Sequence, residues 1–99
     1  MRQFDVKLSD QALEDADRVY AYIANEVSAP MTAALYYQGL LNKMRSLKVG
    51  ADAIAIDVRL SMIYGLPIRR INYKKLAILY SIDGDIVIIE TILPQKMIK

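Results

Sequence analysis

The side chains best equipped for chemistry are basic, and they gather late in the chain. Arg69, Arg70, Lys74 and Lys75 fall within a few positions of Tyr73, and Lys96 follows the last apolar run. Cations of this kind stabilise charge on a phosphate, and a neighbouring tyrosine can stack on a base. Breaking a phosphodiester bond needs more: a group to take the proton of the attacking hydroxyl and an acid for the leaving oxygen. Glu90 is a candidate base and a lysine of lowered pKa a second, yet no motif places either. A simpler reading makes Glu90 an ion-pair partner of Lys75 across two strands. Lys74-Lys75 at a turn is equally what an ordinary solvated surface carries. Arg69 and Arg70 are strand neighbours, so they point to opposite faces and make no single patch without a bulge.

Other chemistries are closed by composition. The chain has neither histidine nor cysteine, which excludes a His-based triad, thiolate nucleophiles and disulfides, and leaves zinc without its usual ligands. No metal or cofactor is expected. Glu14, Asp15 and Asp17 stand close together, but consecutive helical residues diverge and cannot converge on one ion. They read as a solvated helix start, favoured by the positive end of the helix dipole.

The elements that must position the basic run follow from periodicity. Phe4-Asp5-Val6-Lys7-Leu8 alternates with period two, a short half-buried strand. Ser9-Asp10 is a helix-capping pair. Apolar residues then recur at Ala12, Leu13, Ala16, Val19, Tyr20, Ile23, Ala24 and Val27, the stripe of an amphipathic helix. Pro30 opens a second helix that reads to about Leu47. Its inner face is expected to carry Met31, Ala34, Tyr37, Leu41 and Met44, with Leu40 and Leu47 beside it, and its short connection implies an antiparallel helical hairpin. Tyr20 and Tyr37 read as core, Tyr22 and Tyr36 as more exposed. Val49 to Tyr64 has no firm period, and Val58–Met62 fits either a strand or a helical turn. Ile68–Tyr73 is a strand, followed by a hairpin closed at Asp83-Gly84, residues that tolerate the positive φ of a type I′ turn. That loop pairs Tyr80 with Val87, Ile82 with Asp85 and Ala77 with Glu90.

The order strand, helix, helix, strand, strand, strand gives one α+β domain over residues 1–99. Its helical hairpin packs on one face of a small, mostly antiparallel sheet. At 55% hydrophobic and 24% charged residues, the chain is globular rather than disordered. No apolar run reaches bilayer length, no signal-like stretch follows Met1, and cytoplasm is the expected compartment. Residues 1–42 carry three basic and six acidic side chains, a balance of −3, and residues 43–99 carry ten and five, a balance of +5. A basic second half suits a polyanion or an acidic partner. Both hairpin faces and the tail through Ile98 are more apolar than a two-helix cover requires, which points to a protein interface.

Three stretches carry a resemblance: Leu8–Ile23, the Ala34/Tyr37/Leu41/Leu47 pattern, and Gly65–Leu93. Together with the element order they resemble the RelE/ParE superfamily, the toxins of bacterial type II toxin–antitoxin modules. The resemblance implies a growth inhibitor neutralised by a cognate antitoxin. Relatives of the ParE kind inhibit DNA gyrase, whereas those of the RelE kind cut mRNA on the ribosome. Tyr80 occupies the superfamily's strand tyrosine, Ala77 stands where the nucleases carry arginine, and no aromatic follows Tyr80. These departures favour the ParE-like, non-nucleolytic mode. The alternatives are a ribosome-dependent endoribonuclease using Arg69, Arg70, Lys75, Glu90 and Lys96, or a degenerate relative that keeps only antitoxin binding. The expected target- or RNA-binding set is Arg59, Arg69, Arg70, Tyr73, Lys74, Lys75 and Lys96. The same apolar surface suits a toxin–antitoxin hetero-oligomer or a homodimer.

Overall fold

Leu76–Asp83 is buried on both faces from Leu76 through Ser81, which puts it in the interior of a sheet. Leu76, Ile78 and Tyr80 face one side and Ala77 and Leu79 the other, the period-two alternation of a strand. The computed structural model describes residues 2–26 and 28–98. Within it the elements run β1 (Asp5–Leu8), α1 (Asp10–Ala21), α2 (Pro30–Arg45), α3 (Val58–Tyr64), β2 (Arg69–Tyr73), β3 (Leu76–Asp83) and β4 (Ile86–Pro94). The sheet order is β1-β4-β3-β2, with β1 parallel to β4 and the other pairs antiparallel. Among the described residues no helix is long and apolar enough to cross a membrane.

The expected helical hairpin covers one face. Ser9 caps α1 by accepting the Ala12 N–H at 3.0 Å, and its hydroxyl donates to the Glu90 carbonyl at 2.8 Å, so one residue starts the helix and ties it to β4. Ala12 and Ala16 are fully buried, and their small side chains let α1 lie close against β4. Tyr20 meets Tyr37 of α2 edge-on at 5.7 Å between ring centres. Beyond Ala21 the helix widens into a π turn over Tyr22–Glu26; Val27, read above as part of its stripe, lies outside the described residues. The inner face of α2 differs from the expected one. Met31 is 75% exposed and Ala34 is also exposed, while Ala33, Leu40 and Met44 are buried with Leu47 beyond them. The buried stripe runs one position earlier at its start, through Ala33 rather than Ala34. Tyr36 is correspondingly half-buried against the core rather than exposed, and Tyr20 sits near the surface at its edge.

The second face has a cover of its own. Val58–Tyr64 is a helix, which resolves the ambiguity of that stretch: Asp57 accepts the Leu60 N–H at 2.9 Å, and Gly65 ends the helix in the left-handed region. Leu60 of α3 packs with Ile68, Ala77 and Leu79, and Leu93 and Ile98 close the cluster. The hairpin itself is therefore covered on both faces. The surplus apolar surface lies elsewhere, on α3 at Val58, Met62 and Ile63, on α2 at Met31 and Leu35, and at Met97.

The β3–β4 register also departs from expectation. Asp83 pairs with Ile86 and Tyr80 with Ile89, so the loop is Gly84-Asp85, with Gly84 at φ 61 in the first central position. That position is where a type II′ turn takes its glycine. A bulge follows: Tyr80 pairs with Ile89 but Leu79 with Thr91, leaving Glu90 as the extra residue. Its effect is visible in the packing. Val87 and Ile89 face the helical hairpin, but beyond the bulge it is Ile92 that does so and Leu93 that joins the other face.

Asp15 is not part of a solvated helix start. It is 5% exposed, and its carboxylate accepts the Ile92 N–H at 2.9 Å, the Thr91 hydroxyl at 2.7 Å and the Gln11 amide at 2.9 Å, with Arg18 at 3.2 Å. Burial alone would raise its pKa. The hydrogen bonds from Ile92, Thr91 and Gln11, with the Arg18 charge, outweigh that and hold it below the ordinary 3.8. Its folded value is therefore depressed, so its contribution to stability is fully present above the unfolded pKa and is lost as pH falls through the folded one. We expect Asp15→Ala to cost about 3 kcal/mol, because the Ile92, Thr91 and Gln11 donors lose their shared acceptor. In thermal melts from neutral pH to below about 4, Asp15→Asn flattens the acid-side fall of Tm; parallel wild-type and variant profiles would contradict this assignment.

Candidate functional site

Strands β2 and β3 are joined by two lysines. Tyr73 pairs with Leu76, which leaves Lys74-Lys75 as the turn, and Lys74 sits at φ 52, a left-handed conformation uncommon outside glycine. Neighbours hold it there. Gln95 donates its side-chain amide to the Lys74 carbonyl at 2.7 Å and its backbone N–H to the Lys75 carbonyl at 2.8 Å. The Lys74 ammonium lies 5.8 Å from the centre of the Tyr73 ring and 5.9 Å from that of Tyr36, within cation–π range. Those two rings meet edge-to-face at 5.3 Å. Burial first, then the neighbouring Tyr73, push the Tyr36 hydroxyl above its usual 10.0, so it stays protonated at neutral pH.

The tail closes the site. After Pro94 the chain turns through Gln95–Met97 and brings Lys96 beside the lysine turn. Lys74, Lys75 and Lys96 line one groove of about 710 Å³ with Tyr22 and Gln95, over Leu76 and Pro94. None of these residues is acidic. Arg70 borders the turn through Gln95, which accepts from its guanidinium at 3.4 Å, while its Nε donates to Asn72 at 2.9 Å. A second, apolar groove of about 400 Å³ shares Tyr22, Leu76 and Pro94 with the first, and continues along Val19, Ile23, Tyr36 and Ile92 to Asp15 and Arg18.

The remaining candidates stand apart from this groove. Arg69 points to the opposite side from Arg70, in register with Tyr80, and its Nε is buried without a partner. Arg59 lies on α3 beside a groove of about 280 Å³ on the second face. Glu90, at the bulge, accepts the Ser81 hydroxyl at 2.6 Å. The bulge places it four residues before Pro94, roughly 13 Å along the strand from the lysine end. The expected pairing with Lys75 does not form, and Glu90 is not within reach of the lysines as a base. Tyr80 is fully buried and donates to the Ala51 carbonyl at 2.7 Å. Burial, opposed by Arg69 and reinforced by Asp52, pushes its hydroxyl up to about 12. Ala77 is also fully buried, packed in the second-face cluster, so that strand position is closed to the groove.

Two residues essential to the geometry escape a sequence reading. Gln95 carries no motif, and its role appears only once the tail is folded against the turn. Gly39 sits inside α2 directly beneath Tyr73, where an added Cβ would collide with the ring hydroxyl and lie 2.9 Å from Cζ. A glycine in a helix interior, which costs roughly 1 kcal/mol relative to alanine, was the signal available.

The sequence matches the family described as ParE toxin of type II toxin-antitoxin system, parDE, over residues 6–99. A solved chain from the "Chromosomal ParDE TA system from P. aeruginosa" superposes with a TM-score of 0.77 at 18% identity. The match covers 93% of this chain and 96% of that one, a likeness of fold. No protein among those with curated functions matches the sequence.

The packing of Tyr73 on Gly39 yields a double-variant test. Gly39→Ala is expected to lower stability by about 1–2 kcal/mol, because overpacking outweighs the gain in helix preference. In a Tyr73→Ala background the same change should raise stability by roughly 1 kcal/mol. Equal effects in both backgrounds would mean that Tyr73 does not depend on the glycine.

Proposed function

We propose, from the premise that this chain belongs to the ParE toxin family of type II toxin–antitoxin systems, that it is a growth inhibitor acting on DNA gyrase. It works by binding rather than by cleavage. The observation that carries this reading is the composition of the lysine groove: three lysines and, among the described residues, no acidic side chain in its lining. Cations alone attract and orient an anionic target, whereas cutting RNA also requires a proton acceptor within about 3 Å of the reacting hydroxyl. Glu90 is committed to Ser81 at the bulge, and the Tyr80 hydroxyl to the Ala51 carbonyl. Lys74 is seated over two tyrosine rings and Lys74-Lys75 is pinned by Gln95. The groove is thus ordered for recognition before any partner arrives.

Neutralisation by a cognate antitoxin in the cytoplasm completes the proposal. The apolar groove along Val19, Ile23, Tyr36 and Ile92 opens directly onto the lysines through Tyr22, Leu76 and Pro94. A segment of the antitoxin seated there would bury apolar surface and block the target-facing cations together.

Expression of the chain without an antitoxin tests this directly. Arrested growth, intact mRNA and loss of gyrase supercoiling in a purified assay are expected. The triple variant Lys74→Ala, Lys75→Ala, Lys96→Ala should stay folded yet need roughly tenfold more protein for half-inhibition, a change of about 1.4 kcal/mol. Cleaved mRNA with supercoiling unaffected contradicts the gyrase reading, and normal growth leaves a relative that only binds an antitoxin.

A further inference from the structure

We infer that the groove between the β2–β3 turn and the tail grips the phosphodiester backbone of a nucleic acid. The inference rests on the groove assigned above as target-facing, and adds that the toxin touches nucleic acid itself and not only a protein target. Three features of the site select this ligand class.

The first is the kind of cation. The groove is lined by Lys74, Lys75 and Lys96, while Arg70, whose guanidinium borders the turn, is engaged by Asn72 and Gln95. A guanidinium fork binds carboxylate and phosphate alike through two parallel hydrogen bonds and fixes the orientation of each group it holds. Ammonium groups act as compact point charges, suited to successive phosphates along a backbone.

The second is the absence of internal competition. Among the described residues no lining side chain is acidic, so none of them holds the lysines in an ion pair that a polyanion must break. The two ion pairs among the described residues, Arg2–Asp85 and Arg18–Asp15, do not involve these lysines.

The third is the aromatic edge. Tyr22 is 61% exposed at the rim where the π turn leaves α1, a flat ring beside a row of cations. Stacking on any base or sugar face is tolerant of sequence, which matches a groove that carries no fork for reading base edges.

Counterion release supplies a quantitative signature. Three phosphate contacts predict a slope of log K against log salt of about −2.7 for duplex DNA. Affinity then falls by about 40-fold between about 50 and about 200 mM salt. Binding of this sort is weak on its own. Where a partner already holds nucleic acid beside the groove, the high local concentration makes weak contacts effective.

The test is fluorescence anisotropy of the full chain with labelled duplex DNA, single-stranded RNA and a polyglutamate peptide, without any other protein. Duplex DNA should bind with the stated salt slope, Lys75→Gln should reduce the slope by about one unit, and Lys74→Gln with Lys75→Gln and Lys96→Gln should abolish binding. Thermal melts of each variant establish that loss of binding is not loss of fold. Tighter binding to RNA than to DNA with the same lysine dependence supports the phosphate site while contradicting the gyrase reading. Preference for polyglutamate, or DNA binding that survives the triple variant, overturns the inference.

Discussion

The hydrogen bond from the Ile92 N–H to the buried Asp15 carboxylate is the contact on which the layout of this molecule turns. Strand β1 accompanies β4 only as far as Ile89, so the backbone beyond it has no strand partner on that side. Side chains from the start of α1 take over: Ser9 donates to the Glu90 carbonyl, and Asp15 accepts from Ile92 and Thr91. A helix thus replaces the missing strand, and the last exposed position on that edge, Pro94, has no N–H to satisfy. This arrangement also protects a sheet edge against pairing with another chain. A buried carboxylate is tolerable here because every approach to it is a donor or a cation.

From that anchor the geometry of the groove follows. The bulge at Glu90 shifts the phase of β4, turning Ile92 toward the helices and Leu93 toward α3. The strand ends at Pro94 beside Leu76, and the tail folds back so that Gln95 bonds both lysine carbonyls of the turn. The same bulge keeps Glu90 at a distance from the lysines. Local net charge at the end of the sheet is therefore positive, although the whole chain carries only +2. Apolar and cationic grooves meet at Tyr22, Leu76 and Pro94, which lets one partner engage both.

Much of this was legible in the residues. The β-rich apolar runs on either side of Asp83-Gly84 located β3 and β4, period-two alternation located β1, and capping chemistry located α1; Lys74, Lys75 and Lys96 are brought to one groove by the fold of the tail. Reading Asp83-Gly84 as the loop displaced the pairing by two, which preserves the facing of every side chain as far as Ile89. The bulge then broke that parity, and only the spacing of Val87, Ile89 and Ile92 hints at it. The third helix was hidden because Val58, Met62 and Ile63 are exposed, so its apolar residues have no inward period; its Asp57 cap and Gly65 stop were present nonetheless. Asp15 was hidden for a different reason. Its position favours a solvated helix start, and nothing local announces a partner in β4, more than seventy residues away.

The proposed function requires that the lysine turn and the folded-back tail form the surface that meets the target. Hydrogen–deuterium exchange of the chain, alone and bound to gyrase with DNA, reads that surface directly. Slowed exchange at the amides of Lys74, Lys75 and Gln95–Met97, with α3 unchanged, is expected. Protection confined to α3, with the turn and tail exchanging as in the free protein, would contradict it.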